Sequence, residues 1–387
     1  MPVRPAPDDV IVATHFWSPG WATALEAYLR ERGTRVRWIG HPLFADGQPG
    51  TYRLVEHGVV KEEFNTADRP GKLRLIKHLF RTVRWAARGG RTDLFIAGDN
   101  LIAMAGLWLR WRGRTDALVL YSIDFVPRRF ANPLLNWVYH RVDRFAVAAS
   151  DVTWNGSDGI AAGRRQRDGG VAKTPQITVP MGADVRGIAG RGHQRRSGQL
   201  VYLGHLLEKQ GLQVVIEALP AVLTQHPHAR LLVVGDGPYR AALDELAGRL
   251  GVASAIEFAG FMDDHHRIED RLLESVLGVA PYVPDPANYT QFTDLPGKII
   301  NYLACGLPVV TTAVPRNAAI LENEGAGQVI EYSPAAAAAA ILGYLDDVSG
   351  LRDASTAATR LAGRFGWDAI FDRAFSETAR LRGLAPD

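Results

Sequence analysis

Thr293-Asp-Leu-Pro-Gly-Lys-Ile-Ile-Asn-Tyr-Leu-Ala-Cys-Gly-Leu-Pro-Val-Val310 is the most informative stretch of this chain. Pro296 predicts a helix start, because its ring presets the helical φ and the first turn leaves its missing N–H unused. Lys298 then falls in the first turn and Asn301 one turn later on the same face. Gly306 ends the helix, and Pro308-Val309-Val310 begins an apolar strand. A helix N-terminus, an ammonium and a carboxamide on one face suit a diphosphate and a ribose hydroxyl. Read blandly, the same residues are a solvated helix carrying a chance lysine.

Strand–helix units surround this stretch. Strands are expected at Gln199–Leu203, Ala229–Val234, Ile256–Phe258, Leu277–Ala280, Pro308–Thr311 and Gln328–Ile330, with helices over Gly211–Gln225 and Tyr239–Leu250. Ser333-Pro334 before an alanine run is a further helix start. The first half repeats the scheme. Val10–Thr14, Arg35–Ile39, Leu94–Ala97, Ala117–Tyr121, Arg144–Ala149 and Val152–Asn155 read as strands, and Ala22, Leu25, Tyr28 and Leu29 have helical spacing. Between the halves lies Gly187-Ile-Ala-Gly-Arg-Gly-His-Gln-Arg-Arg-Ser-Gly198, rich in glycine and arginine, which reads as a linker. The expected fold is α/β, with two Rossmann-like βαβ domains facing a central cleft: 1–186, a linker at 187–198, and 199–365.

A chain of 387 residues suits two domains. Lys and Arg number 44 and Asp and Glu 41, so the net charge of +3 excludes a bulk polyanion binder. The single Cys305 excludes a disulfide framework and a cysteine-based zinc site, and suits a reducing compartment. No uninterrupted apolar run reaches the roughly 18–20 residues of a spanning helix. The N-terminus has no apolar signal region, so a cytoplasmic protein is expected. The charge is unevenly spread. Residues 69–144 hold fifteen basic residues against five acidic ones. Leu73, Ile76, Phe80, Val83 and Trp85 interleave with the basic positions, which fits either peripheral docking on the inner face of an anionic membrane or a solvated face over a packed stripe. No recognised nucleic-acid module accompanies it, and no nucleic-acid partner is expected.

Two more segments carry chemistry. Leu203-Gly-His-Leu-Leu-Glu-Lys-Gln-Gly211 runs from a strand through a glycine turn to a helix, where backbone N–H groups and Lys209 could hold a phosphate; a plain βα loop is the alternative. Val233-Val-Gly-Asp-Gly-Pro238 makes a sharp turn off a buried strand. Taken in order, Gly204-His-Leu…Gln-Gly211, Val234-Gly-Asp-Gly-Pro238, Phe258-Ala-Gly260 and Ala304-Cys-Gly-Leu-Pro-Val-Val310 resemble the nucleotide-binding lobe of GT-B glycosyltransferases, the family-4 type most closely. The likeness covers about residues 199–312 and extends weakly to Phe365-Gly-Trp-Asp-Ala-Ile370. It implies the GT-B fold, a C-terminal helix (366–387) packing back toward the N-terminal domain, and a nucleotide-sugar donor, UDP-linked by expectation, bound without a cofactor or metal.

The departures are specific. The family's arginine is His205, its lysine falls on Gln210 with Lys209 one residue earlier, and its Glu pair falls on Thr293 and Asn301. Tyr282 (in Ala280-Pro-Tyr), Lys298 and Asn301 look more like the xanthan glucuronosyltransferase, an inverting GT-B enzyme. The resemblance implies a donor site of Gly204, His205, Lys209, Gly235, Phe261, Met262, Tyr282, Pro296, Lys298, Ile299 and Asn301.

In the first half, Leu120-Tyr-Ser-Ile-Asp-Phe-Val-Pro127 resembles the family's Val-His-Asp-x-x-Pro segment. Asp124 is then a catalytic base for an acceptor hydroxyl, or a cap of the next turn. His15 is a second catalytic candidate or a satisfied structural histidine. Trp17, Gly20, Arg128 and Arg129 are the acceptor-binding candidates. Asp263-Asp-His-His266 hints at a metal, but adjacent residues cannot all face one ion, and no metal site is expected. The expected activity is transfer of a sugar to a hydroxyl of a glycan, lipid-linked or small-molecule acceptor, with stereochemistry open. The alternatives are a nucleotide-sugar epimerase of the same fold and a non-catalytic nucleotide-sugar or glycan-binding subunit.

Overall fold

Val10, Ile11, Val12 and Ala13 are all buried, as a strand covered on both faces requires. They belong to β1 (Asp9–Phe16), which lies inside an eight-stranded sheet. The other strands are β2 (Arg35–Pro42), β3 (Gly50–Glu56), β4 (Val59–Thr66), β5 (Thr92–Ala97), β6 (Thr115–Ser122), β7 (Val152–Asn155) and β8 (Gln176–Thr178), in the order β4-β3-β2-β1-β5-β6-β7-β8. All pair in parallel except at one edge, where β3 runs antiparallel to both β2 and β4. The two-residue turn between β3 and β4 is His57-Gly58, with φ of 49° and 73°, the combination favoured where a turn must match the twist of its strands. The computed structural model describes residues 7–16, 20–42, 48–71, 73–168, 174–188, 191, 194–262 and 264–383.

The first unit also carries the helices α1 (Trp21–Glu31), α2 (Arg74–Ala86), α3 (Asn100–Trp111), α4 (Pro133–Ala149) and α5 (Asp158–Asp168). Trp85 and Ala86 of α2, Ile102 and Ala103 of α3, and Ala146 and Val147 of α4 share one core cluster with the sheet. The second unit has α6 (Val185–Ile188), α7 (Leu212–Gln225), α8 (Arg240–Arg249), α9 (His265–Leu273), α10 (Gly297–Ala304), α11 (Ile320–Asn323), α12 (Pro334–Asp346) and α13 (Val348–Ala362). Its six strands are all parallel: β9 (Gln199–Leu203), β10 (Arg230–Val234), β11 (Ile256–Gly260), β12 (Leu277–Ala280), β13 (Val309–Thr312) and β14 (Gly327–Ile330), in the order β11-β10-β9-β12-β13-β14. The last helix, α14 (Trp367–Leu381), returns to the first unit. There Phe371 and Phe375 are buried, and the Tyr28 ring meets both.

The compact units divide at Pro180/Met181 and again at Gly366/Trp367. The glycine- and arginine-rich stretch at 187–198 therefore lies inside the second unit. Its arginines hold it there. Arg191 pairs with Glu269 at 2.6 Å and with Asp270, Arg195 donates to the carbonyls of Cys305 and Gly306, and Arg196 pairs with Glu274 at 3.1 Å.

One local expectation is overturned. Arg144–Ala149 is not a strand but the end of α4. The helix is started by Asn132, whose Oδ1 accepts from Leu134 N and Leu135 N, with Pro133 in the first turn. Asp143, Ala146 and Val147, at helical spacing, are its buried residues. In α2 the buried positions are His78, Thr82, Trp85 and Ala86, while Leu73 before it and Ile76 and Phe80 within it stay exposed. The polar His78 and Thr82 are buried because partners await them, and the apolar stripe is left outside. Among the described residues no helix is long and apolar enough to cross a membrane.

Candidate active site

The turns after β9 and β10 lie backbone to backbone. Gly204 N–H donates to Val234 O at 2.9 Å, and the two turn glycines, Gly204 and Gly235, have φ of 138° and 139°. A Cβ on Gly235 would fall 2.0 Å from Gly204 O, and one on Gly204 would fall 2.9 Å from Lys298 Nζ. Only glycine satisfies both the conformation and the space.

Lys298, in the first turn of α10, is the centre of this arrangement. Its Nζ donates to Gln210 Oε1 at 2.8 Å and to Tyr202 OH at 3.1 Å. It lies 4.2 Å from the Tyr202 ring centroid and 5.1 Å from that of Tyr282. Tyr202 OH passes the chain on by donating to His205 O at 3.2 Å. No carboxylate pairs with Lys298 among the described residues, and burial lowers its pKa to about 7. Ring faces and neutral acceptors soften the cost of that ammonium but do not supply a counter-charge.

The other donor-site candidates stand as follows. Pro296 is the N-cap residue of α10 and Asn301 lies part-buried one turn beyond Lys298. Tyr282 is buried, and among the described residues its hydroxyl has no hydrogen-bond partner. Lys209 Nζ sits 3.6 Å over the Tyr289 ring, and burial lowers its pKa. Burial also lowers the pKa of His205, against the pull of Asp236. Met262 packs against the core of the second unit, while Phe261 is exposed. Ile299 does not face this space. Its side chain is fully buried in the core and its N–H donates to Pro296 O at 2.9 Å, because the helix turns it away from Lys298. Gln210 and Tyr202 hold the lysine and were absent from the sequence-based set. Gln210 stood where the resembling family has a lysine; Tyr202 left no signal.

In the first unit, Asp124 follows β6 and is exposed, with its carboxylate 3.0 Å from Arg129 Nη1. Its carbonyl accepts from Ser122 Oγ at 3.1 Å, and Ser122 Oγ accepts from Arg164 Nη2 at 2.5 Å. Arg164 in turn is held by the buried Asp143. A buried ion pair thus fixes the backbone from which Asp124 projects. Arg129 N–H donates to Asn136 Oδ1, and Arg128 is exposed. Gly20 caps α1, and Trp17 lies outside the described residues.

His15 ends up in a four-membered chain. Asp99 Oδ2 lies 2.8 Å from His15 Nδ1, His15 Nε2 lies 3.0 Å from His78 Nδ1, and His78 Nε2 lies 2.8 Å from Asp68 Oδ1. Burial pushes the Asp99 carboxyl up, but His15 and the N–H groups of Ile102 and His15 pull harder and hold it at about 2. Burial likewise raises Asp68, and Arg74 and His78 outweigh it to leave its pKa low. Burial lowers the pKa of His78, against the pull of Asp68. Both ring nitrogens of His15 are spent within the first unit, the arrangement of a structural histidine. His41 stacks on His78 with ring centroids 4.6 Å apart, and burial keeps it neutral, its pKa well below the usual value.

Of the metal candidate, Asp263 is outside the described residues, and Asp264 caps α9 by accepting from His266 N at 2.9 Å. Among the described residues no cluster of His, Cys, Asp or Glu is arranged to hold a metal ion.

Residues 197–347 match the family model described as "Glycosyl transferases group 1". A GDP-mannose-dependent alpha-(1-6)-phosphatidylinositol dimannoside mannosyltransferase of Mycobacterium tuberculosis is 27% identical over 305 residues, covering 76% of this chain and 69% of the relative. Among solved structures, HepE of Anabaena in complex with UDP aligns with a TM-score of 0.67 at 17% identity, covering 96% of this chain and 99% of that one. Sucrose-phosphate synthase of Thermosynechococcus elongatus aligns with a TM-score of 0.69 at 17% identity, covering 98% and 100%. These two likenesses are of fold, and the fold is GT-B.

Proposed function

We propose that this chain, whose residues 197–347 match the group 1 glycosyltransferase model, moves one sugar from a nucleoside-diphosphate sugar to a hydroxyl of a glycan or lipid-linked acceptor. The observation that carries the donor half is Lys298, an ammonium with neutral acceptors at 2.8 and 3.1 Å and no carboxylate partner among the described residues. Charge on the departing diphosphate is the main thing the protein must stabilise, and a preorganised cation in a low-dielectric site does that best. Asn301 would meet the ribose and the Tyr282 hydroxyl a polar atom of the donor. Uridine and guanosine are the bases to test first, since similar proteins are described with UDP and with GDP-mannose.

Asp124 is our candidate for the base that takes the acceptor proton, with Arg129 orienting its carboxylate. The exposed Leu75, Ile76 and Phe80 of α2, interleaved with Lys77, Arg81 and Arg84, suit peripheral contact with an anionic membrane, where a lipid-linked acceptor would be met.

The test is a thermal-shift panel of nucleotides and nucleotide sugars on the full chain. Ligand at 100 times its dissociation constant stabilises by about 2.7 kcal/mol, so a preferred diphosphate gives a clear rise in melting temperature. No response to any member of the panel sinks the proposal. Release of an epimerised nucleotide sugar from donor alone would replace it with the epimerase reading.

A further inference from the structure

A pocket of about 650 Å³ lies between the segment 127–133 and the first turns of α4. Arg128, Arg141, Arg144, Arg167 and His140 line it, and no carboxylate is among its described lining residues. Asp143 of α4 and Asp124, which precedes the segment, are already engaged. Asp143 is held by Arg164 and Arg167, both at 3.1 Å, and Asp124 by Arg129 at 3.0 Å. Among the described residues Arg128 and Arg141 have no acidic partner; the Arg141 guanidinium lies 5.7 Å over the Trp137 ring. The wall is prebuilt, since His140 Nε2 donates to Pro127 O at 2.8 Å and Asn136 Oδ1 accepts from Arg129 N at 2.8 Å.

An apolar stripe adjoins these cations. Leu134, Trp137, Val138 and Phe145 share one face of α4 at helical spacing, and each is exposed, from 43% for Val138 to 67% for Leu134. A soluble anion would satisfy the arginines and leave that stripe in water. An anionic phospholipid satisfies both, its phosphoryl oxygens on the guanidiniums and its chains against the stripe.

We propose that the pocket at the start of α4 binds the phosphoryl headgroup of an anionic lipid, with Arg128 and Arg141 as its primary contacts and Leu134, Trp137 and Val138 entering the acyl region. The role of this site in presenting a lipid acceptor rests on the transferase reading above; the binding itself does not.

The experiment is co-sedimentation of the full chain with phosphatidylcholine vesicles with and without phosphatidate, alongside the emission of the exposed tryptophans. Binding is expected only with phosphatidate. Arg128→Ala/Arg141→Ala should weaken it roughly thirtyfold, about fivefold for each arginine near the surface, and Trp137→Ala should remove most of the blue shift. Unchanged partitioning of the double variant overturns the proposal, as does equal binding to neutral vesicles. If inorganic phosphate alone alters the emission and phosphatidate vesicles do not bind, the ligand is free phosphate and the lipid assignment fails. The nucleotide-induced thermal shift of Arg141→Glu reports on the donor site separately. A retained shift with lost vesicle binding supports the pocket, and a lost nucleotide response in the unaltered protein is a failure of the transferase reading alone.

Discussion

Trp154 Nε1 donates to Thr378 Oγ1 at 2.8 Å, joining β7 to α14 across 224 residues of chain. The indole is fully buried and Thr378 nearly so. Thr378→Val keeps the shape and leaves the indole N–H unpaired, which costs about 1–3 kcal/mol. Phe375→Ala in the same cluster should cost about 3–5 kcal/mol. Urea denaturation of the full chain measures both; a Thr378→Val midpoint indistinguishable from the parent would mean that the bond contributes nothing.

Lys298 makes two opposite pH predictions. Its folded pKa of about 7 lies below the ordinary lysine value, so between the two the unfolded chain binds more protons. Without nucleotide, stability should therefore rise from about pH 7 to the ordinary lysine range. Diphosphate affinity should fall over the same interval, because the ammonium is the proposed contact. Lys298→Met should leave the free protein at least as stable and weaken diphosphate binding roughly 10- to 100-fold, the range for a charge-assisted hydrogen bond. A calorimetric titration at pH 6 and pH 9 that shows equal affinity would refute this role.

Asp99 is both the N-cap of α3 and the partner of His15. Its folded pKa is depressed to about 2, so its stabilisation is present above the usual carboxylate range and lost as the pH falls from about 4 toward 2. The amount at stake is about 2 kcal/mol. Asp99→Asn should flatten that acid limb while keeping most of the cap. An unchanged acid limb in denaturant melts at several pH values would assign it elsewhere.

Asp124→Asn preserves shape and removes the proposed base. Turnover should fall by about 100-fold or more, the lower end of general-base contributions, with the melting temperature unchanged. Near-normal turnover would exclude Asp124 as an essential base. Arg164→Met tests the support beneath it: released from Arg164, the Ser122–Asp124 turn should raise KM and lower kcat together, at some cost in stability from the unpaired Asp143.

The inner parallel strands were legible because each is a short run buried on both faces, where apolar content suffices and periodicity is unnecessary. In β10, Leu231, Leu232, Val233 and Val234 are all buried, and only Arg230 at its start is exposed. The lysine site was legible for a related reason. Its glycine turns and Lys298 are local motifs whose spacing carries their geometry. What escaped was non-local. Phe145-Ala-Val-Ala-Ala149 has strand-like content, and only Asn132 and Pro133, a dozen residues upstream, commit it to a helix. The His15, His78, Asp68 and Asp99 chain draws on β1, α2, the loop after β4 and the cap of α3, so no window of sequence contains it. The arginines at 191, 195 and 196 read as a linker because their carboxylate and carbonyl partners lie 78 or more residues away.

The return of α14 to the first unit also sets an order of events during synthesis. Residues 181–366 form a unit continuous in sequence and can fold as soon as they have left the ribosome, whereas the first unit, begun before it, waits for α14 to be made. Until then the surfaces that Phe371 and Phe375 will cover stay open to solvent. Of these two units the one translated first is the one completed second, and a nascent chain stalled before Trp367 presents a chaperone with an unfinished first unit beside a finished second one.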